Sequence, residues 1–161
     1  MTVLKFEEAE PSTYPDLYPY DSFGNPWEEP IVISRAIWDR LEQYTAHRFK
    51  ERQAVWTVRG AGTWEPHISP LQNVTVDVWD DEALTWGAVT LDATPTGGLV
   101  LPDDRTYRIT ATAGDDARAI PDVFVQAYQR LEKFYQSASS VPAGVSSYAL
   151  DLGGLREEVT L

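Results

Sequence analysis

The sequence predicts an α+β fold. Two principal amphipathic helices pack with an inserted small antiparallel β-sheet, between an extended Pro/Tyr-rich N-terminal arm and a flexible C-terminal tail. Three observations carry this. In residues 34–49, Ile37, Leu41 and Tyr44 recur at helical spacing, and Trp38 and Thr45 widen the stripe. A second helical pattern follows Pro121. Between the two, short runs alternate apolar and polar residues and are broken by Gly, Pro and Asp. The expected organisation is an arm over 1–33, a helix/sheet/helix core over 34–136, and a linker with a docking tail over 137–161.

The arm contains Pro11, Pro15, Pro19, Pro26 and Pro30 between Tyr14, Tyr18, Tyr20, Phe23 and Trp27. Proline fixes φ and removes a donor, so neither a helix nor a central strand is expected there. Its many aromatics distinguish it from a disordered linker. It lies against its own domain or against a neighbouring subunit. Ser34 can cap the first helix, which is expected to reach about Arg48.

Ala54, Trp56 and Val58 alternate with Val55 and Thr57, a strand pattern. Gly60 and Gly62 suit a tight turn, but a phosphate-binding loop would need a third glycine and a following helix. Val74, Val76 and Val78 mark a second strand, Asp80-Asp81-Glu82 its turn, and residues 84–91 the returning strand. Thr94-Pro95-Thr96-Gly97-Gly98 is a further turn before Leu99-Val100-Leu101. Tyr107, Ile109 and Ala111 alternate with Arg108, Thr110 and Thr112, and Gly114 ends that run. The sum is four or five short strands joined in sequence by hairpins.

Pro121 suits the first turn of a helix, where its missing N–H costs nothing. Val123, Ala127, Leu131 and Phe134 form the expected stripe, broadened by Val125, Tyr128 and Tyr135. Residues 137–147 are rich in Ser, Ala and Gly and read as a flexible link. The apolar residues beyond it suggest a tail that orders on a partner, against the plainer reading of a frayed end.

The chain has 161 residues, 43% of them hydrophobic, enough for one domain with a real core. It has no Cys, so neither a disulfide nor a thiolate nucleophile is available. The formal charge of −12 argues against broad nucleic-acid binding. Neither a membrane span nor a signal peptide is expected. His47 and His67 are the only histidines; His47, close to the helix stripe, reads as structural or surface rather than catalytic, and His67 falls in an expected loop, a poor basis for a zinc site. Asp77, Asp80, Asp81 and Glu82, with the pairs Asp103-Asp104 and Asp115-Asp116, match no calcium-loop spacing and read as acidic turns. The expectation is no metal, no cofactor and no catalysis. Trp56, Trp64, Trp79 and Trp86 fall in the sheet region and form either core or a sugar-binding platform.

The order of these blocks resembles the head-tail adaptor (head completion or connector) proteins of tailed bacteriophages and gene transfer agents. The helix Arg35–Tyr44 closes with Ala46-His47-Arg48-Phe49 and is followed by Arg52 and Val55-Trp56-Thr57-Val58. Thr94–Gly98, Tyr107-Arg108-Ile109-Thr110 and Gly114 come next, then Ile120-Pro121-Asp122-Val123 and Ala127–Tyr135. The resemblance spans about residues 34–136 and rests on order and spacing.

What it implies is a structural virion protein. Such a protein forms a ring of about twelve copies beneath the portal and connects the DNA-filled head to the tail. It lines the DNA exit channel without gripping DNA, and meets a downstream neck or tail protein. The implied location is the virion neck, and the host cytoplasm during assembly. The implied portal-docking residues are Leu150, Leu152, Leu155 and Arg156, and the arm residues Tyr14, Tyr18, Tyr20, Phe23 and Trp27 are candidates for an intersubunit contact. Trp79, Asp80 and Asp81 mark either a loop protruding into the channel or a solvated outer turn. The alternative is a small carbohydrate- or protein-binding module displaying Trp64, Trp79 or Trp86.

Overall fold

The computed structural model describes residues 1–18, 25, 28–139, 147–151 and 156–160, with side chains through residue 137. It is a small α+β structure with two compact units, residues 1–15 with 45–118 and residues 16–44 with 119–161.

The first unit is built from seven strands: β1 (Thr2–Glu8), β2 (Arg52–Arg59), β3 (Gly62–Trp64), β4 (Leu71–Asp80), β5 (Thr85–Val89), β6 (Leu99–Leu101) and β7 (Thr106–Ala113). Its centre is the antiparallel pair β2–β7, in register from Arg52 opposite Ala113 to Arg59 opposite Thr106. Val, Ile, Thr and Trp favour this pleated surface, and their period of two separates its faces. Ala54, Trp56, Val58, Tyr107, Ile109, Ala111 and Ala113 all turn inward and are buried.

The sheet order is β1-β2-β7-β4-β5, and β3 pairs with β6 in a separate two-stranded sheet. The sequential hairpins expected from sequence are therefore replaced by a longer-range order, in which only β4–β5 is a tight hairpin. The reason is that β3 and β6 leave the main sheet to cover its inner face. Trp64, Leu99 and Leu101 are buried in the same cluster as Trp56, with the Trp56 and Trp64 rings 5.3 Å apart at 68°. Gly60 and Gly62 both adopt φ +113°, which lets the chain turn out of β2.

The first residues of the expected arm are an edge strand. Phe6 of β1 lies opposite Trp56, with ring centroids 5.2 Å apart, while Lys5 and Glu7 pair on the exposed side. A register shift lies between Val3 and Lys5. Glu8 points inward and takes two hydrogen bonds from the Arg48 guanidinium, at 2.5 and 3.0 Å, with Arg52 3.5 Å away.

The second unit contains α2 (Asp122–Ser139) and all but the last residue of α1 (Arg35–Thr45). The Trp38 and Phe124 rings meet edge to face at 5.1 Å. The Ser34 N–H donates to the Tyr128 hydroxyl at 2.6 Å, and the Arg40 guanidinium donates to the Tyr135 hydroxyl at 2.6 Å. The helices are thus partners, as their stripes imply. Burial pushes the Tyr128 hydroxyl pKa up, so the phenol stays protonated at neutral pH.

The faces differ from the expectation. Ile37, Trp38 and Glu42 are the buried residues of α1, whereas Tyr44 sits in the last turn and is 89% exposed. The helix stops at Thr45, and Ala46 takes φ 55°. In α2 the buried residues are Phe124, Val125 and Tyr128, and Val123 is 72% exposed, so the face is turned by one position from the expected stripe.

Leu17 is buried and its carbonyl accepts the Ile31 N–H at 2.9 Å, tying the ends of the proline-rich stretch together. Residues 147–151 and 156–160 pair as an antiparallel ladder, β8 (Ser147–Asp151) with β9 (Arg156–Thr160), which the reading of a flexible tail does not anticipate.

Candidate binding surface

The outer face of the five-stranded sheet gathers side chains that the sequence leaves scattered. Strand parity puts Thr57, Arg108, Asp77, Trp79, Trp86 and Ala88 on this side. Trp79 lies directly opposite Trp86 across β4–β5, with ring centroids 5.2 Å apart at 64°. Arg108 lies opposite Asp77 and donates to its Oδ2 from Nε at 3.1 Å and from Nη2 at 2.7 Å. The same guanidinium sits over Trp86, 4.6 Å from the ring centroid. Asp77 thus fixes Arg108, Arg108 covers part of Trp86, and Trp86 braces Trp79. An exposed cation–π contact contributes about 0.5–1 kcal/mol and an aromatic pair about 0.5–1.5 kcal/mol, so this ladder orders its own side chains. Both indoles remain partly exposed.

The adjoining turn is shaped by Asp80. Its Oδ1 accepts the N–H groups of Glu82 and Ala83, both at 2.9 Å, and these bonds hold its pKa below the usual carboxylate value. Asp81 and Glu82 are exposed at the tip, and Leu84, at φ 50°, is 71% exposed.

No protein-family model and no curated protein sequence matches this chain.

The four sheet tryptophans divide evenly. Trp56 and Trp64 are core and are 0% and 2% exposed, so Trp64 is unavailable to a platform. Trp79 and Trp86 form the surface pair. The sequence could not separate these fates, because the strand pairing that assigns the faces is set by β7, far along the chain.

The remaining singled-out residues serve the framework. The Trp56 indole donates to His67 Nδ1 at 3.3 Å, and Phe6 packs edge-on against His67 at 4.5 Å. His47 stacks near Phe49 at 4.6 Å, and burial, followed by repulsion from Arg118 and Arg48, lowers its pKa. Asp103 is the receiver at the other end of β7. It accepts from Arg105 at 2.9 Å and from the Tyr107 hydroxyl at 2.5 Å, which holds its pKa down at about 2. Asp115 accepts the Ala117 N–H and Asp116 the Glu51 N–H. Asp103 and Asp115 thus accept within their own turns, while Asp116 ties the residues after β7 to the start of β2. Among the described residues no cluster of three or more His, Asp or Glu side chains is placed to hold a metal ion, and no helix is long and apolar enough to cross a membrane.

Sequence reading missed two features. Glu65 accepts hydroxyl hydrogen bonds from Thr94 at 3.1 Å and Thr96 at 2.7 Å, so the Thr-Pro-Thr-Gly-Gly turn is a clamp on the end of β3. The signal was the pair of threonines before two glycines, with no way to know the acceptor. The Glu8–Arg48–Arg52 cluster was also missed, because Glu8 lies about forty residues from both arginines.

Of the candidate arm residues, Tyr14 is partly buried and Tyr18 is 44% exposed; Tyr20, Phe23 and Trp27 lie outside the described residues. Leu150 belongs to β8 and Arg156 to β9, opposite Glu157 and Asp151 respectively, while Leu152 and Leu155 lie outside the described residues.

Proposed function

We propose that this chain is a structural neck protein of a tailed bacteriophage or gene transfer agent. In this reading it forms a ring beneath the portal, joins the filled head to the tail and surrounds the exiting DNA. The observation that carries the reading is the order of motif blocks across residues 34–136, from the Arg35–Tyr44 helix to the Ala127–Tyr135 helix. The framework roles of those blocks support it. Arg48 and Arg52 meet Glu8, Gly98 permits close passage of β3, and Tyr107 and Ile109 fill the sheet core.

The net charge of −12 suits a channel that lets the duplex pass with its counterions. Copies in a closed ring meet through two different patches, and the arm from Tyr14 to Trp27 is assigned to one of them. Leu150, Leu152, Leu155 and Arg156 are assigned to portal docking. The role is one of assembly, without catalysis.

The test is co-assembly with the portal protein encoded by the same genome, read by sedimentation and particle averaging. The expected result is a ring of this chain matching the portal's rotational symmetry. That ring should be lost when Leu150, Leu152 and Leu155 are all replaced by Asp. Failure to bind a correctly assembled portal rejects the reading.

One observation favours a second reading. The half-exposed Trp79–Trp86 pair is the kind of surface a small carbohydrate- or protein-binding module displays. Saturable sugar binding with a change in tryptophan fluorescence would favour that module.

A further inference from the structure

The two edges of the five-stranded sheet are built differently. β1 carries Lys5, Glu7 and Glu8 and a register shift, the features that discourage another strand from pairing. The opposite edge, β5, reads Thr85-Trp86-Gly87-Ala88-Val89 and contains neither charge nor proline. Thr85, Gly87 and Ala88 are exposed, and an added side chain at Gly87 would meet nothing within 4 Å. Among the described residues, β5 pairs only with β4.

Beside this edge lies an open cavity of about 320 Å³, lined by Val74, Val76, Val89, Leu91 and Leu99 together with Asp77 and Thr90. Val89 is opposite Val76 and turns to the inner side, so the cavity is where an inward side chain of a sixth strand would sit. At the other end of β5 stand Trp86 and the exposed carboxylates of Asp81 and Glu82.

We propose that β5 is a docking edge for an extended segment of another protein, carrying an apolar residue followed three to five positions later by basic residues. The segment runs antiparallel to β5. Its apolar side chain fills the cavity opposite Val89, and its next inward residue crosses the space left by Gly87. Its first basic residue lies beside Trp86 on the outer face, and those after it meet Asp81 and Glu82. Main-chain pairing supplies affinity, the cavity and the acidic tip supply direction and register, and charge supplies selectivity. This inference stands whichever reading of the overall function holds.

The test uses the full chain and a capped synthetic peptide, Thr-Val-Leu-Thr-Val-Arg-Lys-Arg, in fluorescence anisotropy and amide hydrogen exchange. The expected result is saturable binding that slows exchange in residues 85–89. Backbone N-methylation of alternate peptide residues should abolish it, and a peptide with Glu for each basic residue should bind at least about tenfold more weakly. The double variant Asp81→Lys with Glu82→Lys lies in the exposed turn and should weaken binding by a similar factor; Val74→Glu at the cavity rim should weaken it independently. Absence of saturable binding at millimolar peptide overturns the proposal. So does binding that survives N-methylation or the charge reversals, or that leaves exchange in residues 85–89 unchanged.

Discussion

Replacing Glu8 by Ala tests what fastens the edge strand to the sheet. The Arg48 and Arg52 side chains are 6% and 5% exposed, and the Glu8 side chain is 17% exposed. Two buried guanidinium groups therefore meet on one nearly buried carboxylate at the end of the core. Removing one partner of a fully buried ion pair costs about 3–5 kcal/mol, because the other charge stays desolvated. Here the cost is smaller. Glu8 retains some solvent, and Arg52 also donates to the Lys50 carbonyl at 3.2 Å. A loss of about 2–3 kcal/mol follows, which lowers the urea midpoint by about 1 M at an m-value of about 2–3 kcal/mol/M. Urea titration followed by tryptophan fluorescence reports it, since Trp56 and Trp64 lie in the same unit. Glu7→Ala is the control. Its partner Lys5 is 62% exposed, and exposed pairs contribute little, so a change within about 0.5 kcal/mol is expected. Glu8→Gln should fall between the two, keeping an acceptor without the charge. If Glu8→Ala unfolds at the same urea concentration as Glu7→Ala, the cluster does not fasten β1 and the reasoning fails.

Three further outcomes are expected. Gly98→Ala places a methyl 2.2 Å from the Trp64 carbonyl oxygen and 2.6 Å from the Glu65 carboxyl carbon. It should destabilise the fold by about 2–3 kcal/mol, read by urea titration, because overpacking here must shift backbone. Trp86→Ala removes both the indole pair and the Arg108 contact on an open face. It should cost only about 1–2 kcal/mol and abolish the exciton signal of Trp79 in circular dichroism; an unchanged signal would show that the rings are not coupled. Asp103 has a folded pKa of about 2, below its ordinary 3.8. The stability it contributes is present above about pH 4 and is lost as pH falls from about 4 to about 2. Asp103→Asn should therefore flatten the acid limb of the stability curve in that window, and an unaltered limb in thermal melts from pH 5 to pH 2 would count against a stabilising role for the Arg105 and Tyr107 bonds to Asp103.

Much of the framework was legible locally. Alternation marked β2 and β7 because one face of each is buried, and that burial writes a period of two into the chain; in β4 the valines alternate too, but only Val76 is buried and Val74 is exposed. Pro121 marked the start of α2 because a helix's first N–H groups have no partner to lose. The helix faces were less legible. Stripes wide enough to include Tyr44 on α1 and Val123 on α2 each have two possible centres, and only the packing partner decides which is covered. Phe124 wins over Val123 because it meets Trp38.

What the sequence by itself determined is the α+β class, the existence of the two helices and most strands, and the acidic, cysteine-free chemistry. These follow from local spacing and composition, which act over a few residues. Only the tertiary structure decided the β1-β2-β7-β4-β5 order, the separate β3–β6 layer and the capture of Arg48 and Arg52 by Glu8. It also decided that Trp56 and Trp64 enter the core while Trp79 and Trp86 share the open face. Each of these depends on a pairing between residues far apart in the chain. A strand's alternation says that it has two faces, but the partner that closes over one of them determines which face is the core.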